Sequence, residues 1–152
     1  MKNRGKKPSA RAGSGIKGIY KGHLFRSTYE LSFLIKILEE NDISFSYETL
    51  KIKLDDGTHY IPDFVCVDTK VIYEIKYEKA LIQPKVKKKL EAGQKWCDEN
   101  GYRFEIYTEK RMRMLTYDEI AQLAKDDVIE IHHRKNAGVR FKQVMKSVEK
   151  NR

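Results

Sequence analysis

Three charged residues in the middle of the chain have the types and spacing that phosphodiester chemistry requires. Asp63 follows Pro62, and the alternating pair Glu74 and Lys76 comes eleven residues later. Because side chains alternate along a β-strand, Glu74 and Lys76 share one face of the strand that carries them. A short turn before that strand brings Asp63, on the preceding strand, within cross-strand reach. Two carboxylates and one ammonium group are therefore predicted to converge.

This arrangement suits a magnesium site. Mg²⁺ binds through one or two carboxylates and completes its shell with water and substrate phosphate, so Asp63 and Glu74 are the predicted ligands. The metal would activate water and screen the charge that develops on the phosphate. Lys76 would orient the attacking water and contact the scissile phosphate, or act as a base, and the sequence leaves these roles open. We expect Mg²⁺ as cofactor, with Mn²⁺ as a substitute.

Each of these residues also has a structural explanation. A Pro-Asp step often starts a turn, and Glu-x-Lys is common on the exposed face of a strand. Their combination at this distance, beside an apolar opposite face, favours catalysis over either explanation alone. We expect all three side chains at the edge of the sheet, where truncation would change stability by less than about 1 kcal/mol.

A fourth carboxylate precedes this cluster. Ser27 and Glu30 have the spacing of a capping box at the start of a helix. A carboxylate in the first turn could also point to the sheet and complete the metal shell, while Arg26 could hold a backbone phosphate. Capping and metal binding by Glu30 both stay open.

The elements that must position these residues follow from periodicity and turn signals. A helix begins at Ser27 and ends near Asn41. Two strands, 45–54 and 60–67, flank the hairpin signal Asp55-Asp56-Gly57, and a third covers 71–77. Helix 84–100 leads to strand 102–108, a helix opens at Thr116 with Glu119, and a basic helix covers 138–149.

These elements predict an α/β fold. The first three strands form an antiparallel meander, and the helix between strands three and four predicts that this pair is parallel. The result is a mixed central β-sheet flanked by helices. The length of 152 residues favours a single core, and Cys66 and Cys97, which lack metal-site or disulfide spacing, are expected to be reduced core residues.

The basic charge of the chain lies mainly at its two ends. The net charge is +9; residues 1–26 carry eight Lys or Arg and no acid, and residues 134–152 carry seven against Glu149, which leaves −5 for the rest. We expect a flexible basic arm over 1–22, a central domain over 23–125 and a basic tail over 126–152. Such ends favour a polyanion partner, although basic termini also serve solubility. The candidate phosphate contacts are Lys17, Lys21, Arg26, Lys85, Lys87, Lys88 and Lys89.

The order and spacing of these motifs resemble the restriction-endonuclease-like PD-(D/E)XK nuclease superfamily. Residues 15–47 are similar to phage junction-resolving endonuclease I, with Lys17-Gly18, Phe25-Arg26-Ser27 and Phe45-x-Tyr47-Glu48. Residues 74–109 look more like phage head-completion nucleases and, more distantly, transposon-end nucleases. The resemblance implies a restriction-endonuclease-like fold over roughly 16–110. It also implies that Glu30, Asp63, Glu74 and Lys76 are catalytic, with Glu30 as a third metal ligand.

The expected function is then a Mg²⁺-dependent DNA endonuclease, with 23–125 as its nuclease domain. The favoured role is a phage structure-sensitive nuclease that acts in virion head completion or on branched DNA such as a Holliday junction. The alternatives are a homing or transposon-end nuclease, an RNA-directed nuclease, and a non-catalytic nucleic-acid-binding virion protein.

The expected partners and location follow from the same resemblance and from composition. DNA is the main partner, phage head or portal proteins are further ones, and a homodimer is compatible with the sequence. No apolar stretch approaches the length of a bilayer span, so no membrane partner is expected. We expect a location in the host cytoplasm or the virion, without secretion.

Overall fold

The computed structural model describes residues 16–41, 45, 50–132 and 146. In chain order the elements are β1 (Lys17–Tyr20), β2 (His23–Phe25), α1 (Thr28–Glu40), β3 (Ile52–Lys53), β4 (His59–Tyr60), β5 (Phe64–Cys66), β6 (Val71–Ile75), a 3-10 helix (Glu78–Ile82), α2 (Pro84–Asn100), β7 (Arg103–Tyr107), α3 (Tyr117–Lys125) and β8 (Ile129–His132). Within these ranges, no helix is long and apolar enough to cross a bilayer.

The chain divides into two compact units where the sequence predicted a single core. One unit contains residues 16–35 and 113–132, and the other contains the described residues between 36 and 112. The predicted fold class is confirmed, because helices accompany a sheet that has both an antiparallel and a parallel pair.

The second unit contains that mixed sheet, in the order β5-β6-β7. Strand β6 pairs antiparallel with β5 and parallel with β7, as the intervening helix α2 predicted. All five residues of β6 are buried. Glu74 therefore lies on the buried central strand of the sheet, and the expectation of an edge position for this residue is wrong.

In the part of the chain that the structure describes, the predicted strands before β6 are shorter than expected, and residues 46–49 of the predicted strand 45–54 lie outside that part. Residues Asp55-Asp56-Gly57 do form the turn between β3 and β4, and Gly57 adopts a φ of 88° there. The predicted strand 60–67 is divided into β4 and β5, because Pro62 has no N–H for a ladder and interrupts pairing. Within the described residues, β3 and β4 form a separate two-stranded sheet, so the predicted continuous meander is not present.

The two faces of the β5-β6-β7 sheet are covered by different sets of apolar side chains. On one face, Val65, Ile72 and Phe104 pack with the buried Cys97 of α2. On the other face, the rings of Phe64 and Tyr73 contact Phe45, with centroid distances of 5.1 and 5.8 Å. Side-chain alternation places Glu74 with Ile72 on the face that meets α2.

The two cysteines are buried free thiols, as predicted. Burial raises the pKa of the Cys97 thiol to about 11, so it remains protonated and unreactive at neutral pH.

The helix ends follow the predicted signals. Helix α2 has Pro84 at its start and ends at Gly101, which adopts a left-handed φ of 72°. Helix α3 opens with the capping box between Thr116 and Glu119, in which both reciprocal bonds form. The predicted helix 138–149 lies outside the described residues except for residue 146, which is helical.

The first unit contains a sheet in the order β2-β1-β8. Strand β1 lies within the predicted flexible arm, and its Tyr20 is buried together with Ile16. This part of the arm is ordered because it pairs with β8, more than a hundred residues away in sequence. Gly18 permits the close approach, since a Cβ at this position would lie 1.9 Å from the carbonyl oxygen of Glu130.

Candidate functional site

The second unit brings Asp63, Glu74 and Lys76 together. Asp63 is half-buried and lies directly before β5, Glu74 lies on β6 and is 2% exposed, and Lys76 follows the end of β6. The antiparallel register of β5 and β6 places Phe64 opposite Tyr73. Asp63 is therefore beside Glu74 at the point where both strands leave the core.

The Glu74 carboxylate is almost fully buried and each of its oxygens has a different partner. Oε1 accepts hydrogen bonds from the Tyr60 hydroxyl at 2.5 Å and from the Asp63 main-chain N–H at 3.2 Å. Oε2 lies 3.0 Å from Nζ of Lys76. A buried carboxylate is costly unless it is paired and hydrogen-bonded, and this one is both.

Tyr60 is held as a proton donor in this network. Burial raises the pKa of its phenol above the usual value of 10, and the neighbouring negative charge of Glu74 raises it further. The hydroxyl therefore stays protonated throughout the neutral range and faces Glu74 as a neutral donor.

Asp63 is tied to the same strand through its side chain. Its Oδ2 accepts a hydrogen bond from the main-chain N–H of Ile75 at 2.8 Å. Asp63 thus donates to Glu74 through its main chain and accepts from Ile75 through its carboxylate. The side-chain bond to Ile75 restricts the rotamer of Asp63.

Lys76 continues β6 by one residue. Its main-chain N–H donates to the carbonyl oxygen of Tyr107 at 3.0 Å, so the backbone is anchored to β7. Its side chain is 27% exposed and reaches back to Glu74. This contact confirms the prediction that Glu74 and Lys76 share one face of the strand.

Glu30 forms the helix cap that the sequence indicated. Its N–H donates to Oγ of Ser27 at 3.2 Å, and its Oε1 accepts from the main-chain N–H of Arg26 at 3.1 Å. The return bond goes to Arg26 instead of Ser27, one residue earlier than in a standard capping box. Glu30 belongs to the first unit and the other three residues belong to the second. Its role as a metal ligand stays a prediction.

The donor set of the second unit fits a divalent cation. Among the residues that the structure describes, no group of three or more His, Cys, Asp or Glu side chains comes together. Asp63 and Glu74 supply two carboxylates, and Mg²⁺ commonly takes only one or two from the protein.

The predicted phosphate contacts are distributed over both units. Lys21 and Arg26 are exposed and Lys17 is half-buried, all in the first unit. Lys85, Lys87, Lys88 and Lys89 are exposed on α2. At about 100° per residue, Lys85, Lys88 and Lys89 share one face of the helix, whereas Lys87 points to the opposite side. Lys88 lines a cavity of about 540 Å³ beside the β3–β4 hairpin. That cavity has as many acidic as basic residues, so its charge is balanced.

Two residues at this site were missed from sequence. From the sequence, Tyr60 is predicted only as the first residue of a strand. Its position three residues before Asp63 is the signal that could have identified it. Glu109 accepts a hydrogen bond from the N–H of Glu78 at 2.8 Å and so anchors the 3-10 helix that follows Lys76. No local signal marks this bond, because its two residues are thirty-one positions apart.

Comparison with known proteins identifies one family. No curated protein and no solved structure matches the chain. Residues 28–109 match the family described as TnsA-like endonuclease N terminal. This range includes Glu30, Asp63, Glu74 and Lys76 and spans more than half of the chain. The resemblance to nucleases of the PD-(D/E)XK type is thereby supported, and the chain belongs to the TnsA-like endonuclease N-terminal family.

Proposed function

We propose that this protein is a Mg²⁺-dependent DNA endonuclease that hydrolyses phosphodiester bonds. The observation that carries the proposal is the cluster of Asp63, Glu74 and Lys76 at the end of β6. Two acids and a lysine in contact are unfavourable for phosphate binding alone, because carboxylates repel a phosphate unless a cation intervenes. The cluster is better explained by hydrolysis than by an architectural role.

The two acids and the lysine have separate roles in this proposal. Asp63 and Glu74 would hold the metal, and because hydrogen bonds already restrict their side chains, little ordering would remain to be done on binding. The ammonium of Lys76 reaches the site from its partly exposed position, where it can contact the scissile phosphate and orient the attacking water. A bound Mg²⁺ supplies Lewis-acid stabilisation of the charge that develops on the phosphate.

DNA binding is assigned to the basic residues at both ends and on α2. Every phosphate that a Lys or Arg neutralises releases condensed counterions, so affinity should fall steeply with salt. The exposed Arg26, next to the Ser27 cap, and Lys85, at the start of α2, are the contacts closest to helix N-termini, which also favour phosphate.

The proposed biological role is a phage structure-sensitive nuclease that acts in head completion or on branched DNA. The rival roles, a transposon-end or homing nuclease, would use the same cluster on different DNA structures. We place the protein in the host cytoplasm or the virion, where head or portal proteins would be further partners. Homodimer formation would supply two sites for a branched substrate or for both strands of a duplex.

A cleavage assay on defined substrates tests these proposals. Purified protein is incubated with linear duplex, single-stranded, flapped and four-way DNA and with an RNA duplex, each with Mg²⁺, Mn²⁺, Ca²⁺ or a chelator. We expect cutting with Mg²⁺ or Mn²⁺, binding with little turnover in Ca²⁺, and preference for one DNA structure. The Asp63→Asn protein, purified in parallel, controls for contaminating nucleases. Full cutting in excess chelator, or none on any substrate, would refute the proposed function.

A further inference from the structure

We propose that Tyr60 is a positioning residue that orients the Glu74 carboxylate for metal binding. The inference rests on the proposed function and names a residue that the acid and lysine motif does not include. Tyr60 lies on β4, outside the sheet that carries Glu74, yet its hydroxyl makes the shortest hydrogen bond described for that carboxylate.

The two oxygens of Glu74 have separate tasks in this arrangement. Oε1 is occupied by neutral donors, the Tyr60 hydroxyl and the Asp63 N–H, while Oε2 faces the ammonium of Lys76. A carboxylate without the Tyr60 bond could rotate about its last torsion, which is broad for glutamate. The Tyr60 hydroxyl thus restricts Glu74 to the orientation in which Oε2 is presented to a cation.

Tyr60 is itself held by helix α2. The residue is 3% exposed, and its ring packs against Gly93: a Cβ added to Gly93 would lie 3.0 Å from Cε2 of Tyr60 and 2.8 Å from the ring of Phe104. Cε2 is one bond from the carbon that carries the hydroxyl. The absence of a side chain at Gly93 therefore sets where the hydroxyl lies relative to Glu74.

The arrangement resembles the way other metal sites are supported. Groups that hydrogen-bond to a ligand, without touching the metal, fix its orientation, and their loss typically lowers metal affinity or activity by 10- to 100-fold. Tyr60 meets this description because its hydroxyl donates to a predicted ligand from a strand outside the sheet that carries that ligand.

The first test is Tyr60→Phe, which keeps the ring and removes only the hydroxyl. Mn²⁺ binding is measured without DNA, by calorimetry or from the electron paramagnetic resonance signal of free Mn²⁺. We expect affinity to fall about 10- to 100-fold. Cleavage should need correspondingly more metal for half-maximal rate, while its rate at saturating metal changes only a few-fold. Tyr73→Phe is the matched control, since Tyr73 is a buried tyrosine on the opposite face of β6, and it should bind Mn²⁺ like wild type.

A second variant keeps both Tyr60 and Glu74 and alters the packing against the Tyr60 ring. Gly93→Ala should crowd the rings of Phe104 and Tyr60, shift the Tyr60 hydroxyl and weaken Mn²⁺ binding in the same direction. Melting curves establish that each variant is folded.

The outcomes separate the positioning role from the proposed function. Wild-type Mn²⁺ affinity and wild-type metal dependence in folded Tyr60→Phe would overturn the positioning role while leaving the proposed function intact. Wild-type protein that neither binds Mn²⁺ nor cuts DNA would overturn both.

Discussion

The main-chain N–H of Ile75 donates a hydrogen bond to Oδ2 of Asp63, so the residue between Glu74 and Lys76 holds the third member of the cluster. The bond joins the two strands that carry the motif. It also means that the side chain of Asp63 has a structural partner in addition to its proposed metal, and these two roles can be separated by substitution.

Asp63→Asn should separate them. The asparagine keeps a carbonyl oxygen that can accept from Ile75, so we expect a folded protein with a melting temperature close to wild type. The negative charge needed by a cation is lost, and cleavage should fall by more than ~100-fold. Cleavage kinetics and thermal melting measure the two effects. Activity near that of wild type would show that Asp63 is not a metal ligand.

Glu74→Ala should destabilise the protein, contrary to the edge position expected from sequence. Glu74 is 2% exposed, and its removal takes away the acceptor of the hydrogen bonds from the Tyr60 hydroxyl and the Asp63 N–H. An unsatisfied buried polar group costs about 1–3 kcal/mol, so urea unfolding should show a loss of that order. Glu74→Gln retains one acceptor oxygen and should lose less stability, yet should be equally inactive. Equal stability of Glu74→Ala and wild type would argue against a satisfied buried carboxylate.

Two N-terminal deletions should have different effects. The sequence predicted a flexible arm over residues 1–22, but this range includes β1, whose Tyr20 is 3% exposed. Deletion of 1–22 should therefore lower the melting temperature strongly, whereas deletion of 1–15 should lower it little.

The shorter deletion also tests DNA binding by the basic arm. Residues 1–15 carry five Lys or Arg. If about half of them engage phosphates, the slope of log K against log salt should decrease by roughly two units, at ~0.9 per contact. Binding titrations at several salt concentrations measure the slope. An unchanged slope would mean that these cations serve solubility or another partner.

Acid should weaken the cap of α3. The pKa of Glu119 is lowered to about 2, mainly by the hydrogen bonds that Arg113 donates to its carboxylate and also by the Thr116 N–H. A carboxyl with a depressed folded-state pKa stabilises the fold above its unfolded value near 4.5, and this contribution is lost as the pH falls toward 2. The stability difference between wild type and Glu119→Gln should therefore be largest above pH 5 and shrink with acid.

Unfolding curves across this pH range measure the difference. Arg113→Gln should lose part of the same pH dependence, because Arg113 is the main cause of the shift. A difference that stays constant from pH 6 to pH 2 would contradict the depressed pKa.

Local features of this protein could be predicted because neighbouring residues determine them. The turn at Asp55-Asp56-Gly57, the Gly101 end of α2 and the Thr116 cap depend on interactions within a few residues. The shared face of Glu74 and Lys76 follows from strand alternation alone. The cluster of Asp63, Glu74 and Lys76 could therefore be located, and the parallel pairing of β6 with β7 predicted, from the sequence.

Burial and long-range pairing were decided by the tertiary structure. Alternation shows which residues share a face, but it does not show what covers that face. Tyr60, which packs against Gly93 of α2, donates a hydrogen bond to the buried Glu74, and no local signal marks this contact. Strand β1 was mistaken for part of a flexible arm because its composition is polar and Gly-rich; it pairs with its neighbour β2 and with the distant strand β8. Composition indicates whether a segment can form ordered structure by itself. Burial depends on partners that are distant in sequence and are brought together only by the fold.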